Sequence, residues 1–273
     1  MLVKNEIIKA LQKFDIEDNA ILLVHSSLKA LGYIDGGAET VIEALEETVP
    51  KGTLVMPTLS QKNWETVFED WTLDRPSDVG FITETFRKQK GSLRSDNATH
   101  SVAARGVHAA DLVGGDPKKG ARYGIFGDFC FSYESPWQRM YDSRERYGVK
   151  AYVMFWGCTM RRNTFQHFCE YRLAEEVLNS IEDADKRAMF QERLAHYPWM
   201  PGVPLVWPTY DSESFGTVLE EMGLAKRITL GNGEIICTDI YDMVNATEKA
   251  IRDDMQNMIS ARGLAWIEDA RKA

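Results

Sequence analysis

The stretch AILLVHSSL, residues 20–28, decides the fold class of this chain. Its first five residues form a short, continuous apolar run of the kind that becomes a buried strand. The four residues that follow this strand are His25, Ser26, Ser27 and Leu28. In α/β sheets, ligands collect at the carboxyl ends of the strands, where small hydroxyl residues leave backbone N–H groups open to oxyanions. The stretch therefore predicts a strand that ends at a ligand site, with a plain serine-containing turn as the alternative.

Strand and helix patterns alternate on either side of this stretch. An amphipathic helix pattern precedes it over residues 1–14, and Gly36 and Gly37 open a second helix whose N-terminus can face a phosphate. A further strand is predicted over residues 52–58 and a further helix over residues 81–90. The sequence contains neither a Walker A pattern nor GxGxxG, which argues against a P-loop and against a dinucleotide fingerprint.

The second half of the chain adds the elements that make the predicted sheet a mixed one. Helices are predicted over residues 136–148, 163–180, 181–194 and 214–222, with strands over residues 149–156 and 203–207. Two apolar runs around Asn232 and Gly233 predict an antiparallel hairpin, and helical patterns follow from Tyr241. We therefore predict an α/β fold, a single α/β/α layered domain over residues 1–273 with a mixed central sheet and a later antiparallel hairpin.

Composition narrows the environment and the partners. The 273 residues contain no run of about eighteen apolar residues and no signal-peptide pattern at the N-terminus, which predicts a cytoplasmic protein with no membrane partner. The four cysteines form no CxxC, so reduced thiols are expected rather than disulfides. A net charge of −9 argues against nucleic acid and is compatible with a cationic partner, but acidity for solubility alone is the stronger explanation.

The stretch GCTMRRNTFQHFCEY, residues 157–171, carries the strongest chemical pattern. Asn163 as N-cap with Gln166 three residues later predicts a capping box, which places His167 in the first turn of a helix. The partial positive charge of that turn keeps an imidazole neutral and able to accept a proton. Glu170 lies three residues on, on the same helix face, where its carboxylate can orient the ring. A surface His–Glu pair is the alternative, and the spacing does not indicate a metal site.

Two further segments offer side chains for binding. Thr99, His100 and Ser101 lie where a turn becomes a short strand of small residues, which lets a ligand approach closely. A structural histidine that caps the strand is an equal alternative. The other segment, residues 60–80, carries five acidic residues and two tryptophans, which suggests a wall for a cationic or sugar-like substrate or, alternatively, a solvated loop with aromatic anchors.

Taken together, these segments resemble the aminoglycoside 3-N-acetyltransferases, antibiotic N-acetyltransferases unrelated in fold to the GNAT superfamily. Five pieces appear in that family's order and approximate spacing: VHSSLKALGYIDGGAETVIEAL (24–45), GTLVMPT (52–58), LRSDNATHSVAARG (93–106), SPWQRMY (135–141) and NTFQHFCEY (163–171). The resemblance implies a CoA-binding α/β/α fold and transfer of an acetyl group from acetyl-CoA to an amine, the 3-amino group of a 2-deoxystreptamine aminoglycoside. It implies no metal, and it leaves a homodimer open.

The resemblance also implies roles for individual residues. His167 matches the family's general base and Glu170 its carboxylate partner. The residues implied for CoA binding are His25, Ser26, Ser27, Leu28, Thr99, His100 and Ser101. The residues expected to bind the amine substrate are Trp64, Glu65, Asp70, Glu84 and Asn163. The hydroxyls of Thr99 or Ser101, or backbone N–H groups, would stabilise the oxyanion formed on the thioester.

The chain departs from the family pattern at two places. Asn97-Ala98 stands where members commonly have His-Pro, and Arg161-Arg162 stands where an acidic residue often precedes Asn-Thr. A positive pair beside the catalytic helix suits a polycationic antibiotic poorly, which favours an amine that carries an anionic group. An acyltransferase with a different acceptor and a CoA-binding protein without transfer activity are the alternative functions.

Overall fold

A seven-stranded mixed sheet lies at the centre of the computed structural model, which describes residues 1–60, 71–114, 130–131, 135–195 and 212–273. The strands are β1 (Ile21–Ser26), β2 (Thr53–Pro57), β3 (Leu93–Arg94), β4 (Val102–Gly106), β5 (Ala151–Trp156), β6 (Ala225–Leu230) and β7 (Gly233–Asp239). Their order across the sheet is β3-β4-β2-β1-β5-β7-β6. The predicted mixed sheet is confirmed.

The parallel strands occupy the middle of the sheet and the antiparallel strands its two sides. β1 pairs in parallel with β2 on one side and with β5 on the other. β4 pairs antiparallel with β2, and β7 pairs antiparallel with β5. β6 and β7 form the predicted hairpin, in which Gly231 (φ 60°) and Asn232 make the turn and Gly233 already belongs to β7. The carboxyl ends of β1, β2 and β5 therefore meet at one edge.

Helices cover both faces of the sheet. They are α1 (Lys4–Leu11), α2 (Gly37–Thr48), α3 (Phe81–Lys88), α4 (Ala109–Val113), α5 (Pro136–Tyr141), α6 (Ser143–Tyr147), α7 (Phe165–Asn179), α8 (Ala184–Ala195), α9 (Ser212–Glu221), α10 (Ile240–Asp253), α11 (Met255–Met258) and α12 (Ala261–Arg271). In the described segments, three short 3₁₀ helices span Gln12–Phe14, Leu28–Leu31 and Met160–Arg162.

Alternate residues of β1 divide the hydrophobic core into two parts. Leu22 and Val24 pack in the core that α1, α2 and α3 cover, whereas Ile21 and Leu23 pack in the core under α5, α7, α10 and α12. Both faces of the strand are buried, which is why the apolar run is continuous rather than alternating. The predicted α/β/α layering is confirmed.

The helix predicted over residues 136–148 is wrong in one respect, because the structure has two helices there. Ser135 caps α5 as its side chain accepts a hydrogen bond from the Gln138 backbone N–H. The chain leaves helical geometry at Asp142, which ends α5 and begins α6. Aspartate favours the ends of helices over their interior, so the break has a local cause.

Other predictions fall partly beyond the residues that are described. The strand predicted over residues 203–207 lies outside them. Within the described ranges, no helix has the length and apolar character needed to span a membrane. The cytoplasmic location and the assignment of residues 1–273 to one domain stay predictions.

Candidate active site

A cavity of about 1080 Å³ lies at the edge of the sheet where β1, β2 and β5 end. It is lined by His25, Ser26, Ser27, Leu28, Lys29, Pro57, Leu59, Asp78, Val79, Gly80, Phe81, Thr83, His100, Gly157, Cys158, Arg161, Arg162, Asn163, Thr164, Gln166 and His167. The predicted position of His25 to Leu28 at a cavity wall is therefore observed. The volume suffices for a large organic ligand.

The loops that leave β1 and β5 are joined side by side at this edge. The Ser27 backbone N–H donates to the Trp156 carbonyl at 2.8 Å, and the Cys158 thiol donates to the His25 carbonyl at 3.4 Å. Gly157 has φ 62°, and a Cβ placed there would lie 2.4 Å from Leu31 Cδ1. A glycine is thus required for the β5 loop to approach the β1 loop this closely.

Gly157→Ala is expected to destabilise the protein by about 2–4 kcal/mol, from the left-handed backbone and the overpacking together. The control is Gly148→Ala, because Gly148 has φ 69° with nothing within 4 Å of an added Cβ. That control should cost only about 1–2 kcal/mol, for the backbone alone. Urea unfolding of both variants measures the difference, and equal losses of stability would show that the approach of the two loops is not tight.

His167 and Glu170 form a buried pair on α7. His167 Nδ1 lies 3.2 Å from Glu170 Oε2, and the Glu170 side chain is 1% exposed. Nδ1 is thus the ring nitrogen that faces the carboxylate. The surface-pair alternative does not apply, since Glu170 is buried, and His167 lines the cavity with Phe131 packed against its imidazole.

Burial sets the ionisation of this pair. It lowers the pKa of His167 to about 3 and raises the pKa of Glu170 well above its ordinary value. Desolvation disfavours the charged form of each group, so an isolated imidazolium is costly here. The imidazole is therefore neutral near pH 7, as the sequence predicted, although the main cause is burial rather than the helix terminus.

His100 is the only one of the predicted Thr99–Ser101 segment that lines the cavity in the described part of the chain. Its ring centroid lies 5.7 Å from that of His167, and its Nδ1 lies 2.9 Å from Thr99 Oγ1. Burial, and secondarily the field of His167, lower its pKa. Asn97 Oδ1 accepts hydrogen bonds from the backbone N–H groups of Thr99 and His100, so this departure from the family pattern builds the turn that presents His100.

The expected oxyanion role of the Thr99 and Ser101 hydroxyls does not fit their positions. Thr99 Oγ1 bonds to Asn97 and His100, and Ser101 Oγ donates to the Thr58 carbonyl at 2.9 Å. Both side chains are fully buried beneath the cavity wall. Their hydroxyls are used to hold the turn in place.

The capping box predicted for Asn163 and Gln166 is wrong, because Thr164 occupies the N-cap position of α7. Asn163 does line the cavity, but its amide is held on both sides. Its Oδ1 accepts from the Phe165 backbone N–H at 3.1 Å, and its Nδ2 lies 3.2 Å from Met243 Sδ on α10. Asn163 thus still accepts from a backbone N–H at the start of α7, but its own N–H donates to the Met160 carbonyl at 2.9 Å rather than to Gln166, so the reciprocal half of the box is absent.

The acidic wall predicted over residues 60–80 lies only partly within the described residues. Trp64, Glu65 and Asp70 lie outside the described residues. Glu84 is described and is not among the residues that line the cavity, contrary to its expected substrate role. Its carboxylate binds Arg87 at 2.7 Å and the Ser77 backbone N–H at 2.9 Å, which fixes the start of α3 instead.

Sequence reasoning missed Arg94, which binds backbone carbonyls of the connection between β2 and α3. The guanidinium donates to the carbonyls of Thr58, Leu73 and Arg75, and it stacks over the Trp71 ring at 4.6 Å. Burial lowers its pKa to about 10. A lone arginine beside a strand gives no sequence signal for this role, because its partners are backbone carbonyls distant in the chain.

Among the described residues, two buried polar atoms in the cavity wall have no hydrogen-bond partner. They are His25 Nε2 and Ser26 Oγ. Burying such groups without a hydrogen bond is costly, so they are suited to a polar ligand. His25 stacks on Phe155 and burial lowers its pKa to about 3, so it offers a neutral imidazole. Across the described ranges, no group of three or more His, Cys, Asp or Glu side chains could hold a metal ion.

Known proteins share both sequence and fold with this chain. The aminoglycoside N(3')-acetyltransferase-like protein YokD of Bacillus subtilis is 29% identical over 199 residues, which cover 64% of this chain and 68% of that protein. Aminoglycoside N(3)-acetyltransferase IV of a Salmonella species is 33% identical over 111 residues, which cover 40% and 42% of the two chains.

Solved structures agree with this sequence similarity at the level of the fold. The apoenzyme of the aminoglycoside acetyltransferase AAC(3)-IVa superposes with a TM-score of 0.65 at 22% identity, over 92% of this chain and 89% of that one. AAC-IIIb in a binary complex with CoASH gives a TM-score of 0.66 at 16% identity, over 92% and 97%. The sequence model of the aminoglycoside 3-N-acetyltransferases matches residues 23–252. Since that match spans most of the chain, the protein belongs to the aminoglycoside 3-N-acetyltransferase family of acyltransferases.

Proposed function

We propose that this protein transfers an acetyl group from acetyl-CoA to an amine, the 3-amino group of a 2-deoxystreptamine aminoglycoside. The observation that carries the proposal is the His167–Glu170 pair, in which the imidazole lines a cavity of about 1080 Å³ and the carboxylate is buried behind it. AAC-IIIb, which shares the fold, binds CoA, and AAC(3)-IVa, which also shares it, binds apramycin and gentamicin.

The cavity wall suits the donor. His25 Nε2 and Ser26 Oγ are buried polar atoms without protein partners, and amide groups of a pantetheine chain would satisfy them. The same two residues match the family's CoA-tunnel element. We assign His25, Ser26, Ser27, Leu28 and His100 to the donor side of the cavity.

His167 would act as the general base. An ammonium is not a nucleophile, so the acceptor must lose a proton before or during attack on the thioester carbonyl. Nε2 of His167 takes that proton while Glu170 holds Nδ1–H and stabilises the cation that forms. The new C–N bond forms as the C–S bond breaks, the leaving thiolate receives the proton from His167, and the second proton that the ammonium nitrogen loses passes to solvent.

The cysteines favour direct transfer of the acetyl group to the amine over a mechanism with an acyl-cysteine intermediate. Cys158 is the one cysteine among the described lining residues, and burial raises the pKa of its thiol to about 12. A thiolate is therefore scarce at neutral pH, and the thiol is a poor nucleophile.

Thiol release from acetyl-CoA in the presence of a panel of 2-deoxystreptamine aminoglycosides and simple amines tests the proposal. Release that depends on the acceptor, together with an acetylated product in the mass spectrum, is the expected result. A reaction without acceptor measures background hydrolysis. Absence of release across the panel, with CoA still bound in a titration, would contradict the proposal and favour a CoA-binding protein without transfer activity.

The pH dependence of the transfer activity should report the titration of one proton that His167 and Glu170 share. Imidazolium with carboxylate and imidazole with carboxylic acid contain the same number of protons. The first has no base position, and in the second the acid donates to Nδ1 and the ring proton lies on Nε2. Activity should therefore fall as pH decreases through the apparent pKa of the pair. Because burial raises the pKa of Glu170, that fall is expected above the range of an ordinary carboxyl group.

Glu170→Gln separates this ionisation from that of the acceptor. In the variant only His167 titrates, and burial lowers its pKa to about 3, so the pair no longer contributes to the profile between pH 5 and pH 8. The acceptor ionises identically with both proteins, so the ratio of their kcat/KM values isolates the pair. A ratio that is constant over pH 5–9 would contradict the assignment.

A further inference from the structure

Three cationic side chains at the cavity wall are not used by the proposed reaction. Lys29 lies on the 3₁₀ helix after β1, and Arg161 and Arg162 lie on the 3₁₀ helix after β5. All three are exposed and line the cavity. Within the described residues, none of them forms an ion pair, whereas arginines such as Arg105, Arg172 and Arg227 do.

The two loops that carry these cations lie in contact. Gly157 approaches Ala30 and Leu31 directly, and the Ser27 N–H bonds to the Trp156 carbonyl at 2.8 Å. Lys29 and the arginine pair are therefore brought to one wall by neighbouring parallel strands. Ligands of α/β sheets bind at the carboxyl ends of such strands.

The charge of the wall is unbalanced. Of the lining residues that are described, Asp78 is the one carboxylate, against the three cations. Glu213 on α9 raises the pKa of the Cys158 thiol and Arg162 lowers it, so both charges lie near Cys158. Glu213 does not line the cavity, however. Three like charges at one wall repel each other and attract an anion.

We propose that Lys29, Arg161 and Arg162 form an anion-binding subsite at the cavity wall, which takes a phosphate group of a bound substrate. Two arginine forks and a lysine ammonium are the side chains best suited to phosphate oxygens. The inference rests on the proposed function, since it takes the cavity as the substrate site. The phosphate can belong to the CoA donor or to a phosphorylated amine acceptor, and both have the same chemistry.

Titration calorimetry with the full chain distinguishes the two sources without turnover. The donor arm compares CoA, 3′-dephospho-CoA and pantetheine, and the acceptor arm compares glucosamine 6-phosphate with glucosamine. The proteins are wild type, Arg161→Gln/Arg162→Gln, Lys29→Gln and the charge-retaining Arg161→Lys/Arg162→Lys. Lys9→Gln, which changes an exposed lysine on α1, controls for net charge.

The glutamine double variant should lose about tenfold or more of the advantage that the phosphorylated ligand has over its phosphate-free partner. Lys29→Gln should lose part of that advantage, and the lysine double variant should keep most of it. A loss in the donor arm assigns the subsite to CoA, and a loss in the acceptor arm assigns it to an anionic acceptor. Pantetheine binding should stay unchanged, which verifies folding.

A change no larger than that of Lys9→Gln in both arms would overturn the proposal. The binding experiment and the transfer assay test the two proposals separately. Phosphate-dependent binding without any thiol release would contradict the proposed function and leave the subsite in place, whereas thiol release that is insensitive to all these variants would do the reverse.

Discussion

His167→Ala is expected to lower kcat for acceptor-dependent thiol release by about 10²- to 10⁴-fold, the usual contribution of a positioned general base. The reason is that Nε2 of His167 supplies the proton acceptor at the cavity wall, with Nδ1 held 3.2 Å from Glu170 Oε2. Initial rates at saturating acetyl-CoA give the loss directly. CoA affinity should change little, because His167 is not among the residues assigned to the donor side of the cavity.

A matched histidine control is present in the same chain. His108 stacks on Tyr147 with the ring centroids 4.4 Å apart, and it does not line the cavity. His108→Ala should therefore keep kcat within about twofold of wild type, as expected for a site outside the reaction. If His167→Ala retained wild-type kcat at neutral pH, the acceptor would have to lose its proton to another group, and the assignment of the base would be wrong.

Glu170→Gln is expected to lower kcat by about 10³- to 10⁴-fold, by analogy with the carboxylate-to-amide change in a serine protease triad. The glutamine amide can donate to Nδ1, which places the ring proton on Nε2 and removes the base position. The change is nearly isosteric, so the buried side chain should still fit. Initial rates of thiol release at saturating substrates measure the loss.

The matched control for this variant lies on the same helix. Glu175 is exposed on α7, and Glu175→Gln should leave kcat unchanged. Because His167 and Glu170 are expected to act as one unit, the double variant His167→Ala/Glu170→Gln should be no slower than His167→Ala alone. Losses that add in the double variant would show that Glu170 acts independently of the imidazole.

The sheet could be predicted from the sequence because the residues of its central strand themselves favour a buried strand. Residues 20–24 are apolar without a break, and both faces of β1 are buried, so pattern and structure agree. The His167–Glu170 contact was also predictable, since a helix places residues three apart on one face. Even the break at Asp142 has a local signal, because an Asp-Ser pair commonly begins a helix.

The details that were missed depend on contacts between distant parts of the chain. Asn163 Oδ1 accepts from the Phe165 N–H at the start of α7, but the Asn163 N–H donates to the Met160 carbonyl, so the predicted bond with Gln166 does not form. Glu84 was expected at the cavity, yet Arg87 on the same helix engages its carboxylate. Arg94 finds its partners among carbonyls of segments far away in sequence. A pattern within one segment does not encode such partners.

β1 lies in the first half of the chain and β5 in the second, and their parallel pairing brings both halves together at the site. Under the proposed function, the donor would touch the loop after β1 while the acceptor amine meets α7, so bound substrate would hold both halves together. A ligand at 100 times its Kd stabilises the state that binds it by about 2.7 kcal/mol. In a cell, the lifetime of this protein against proteolysis would then follow the supply of its own acyl donor, and starvation for that donor would shorten it.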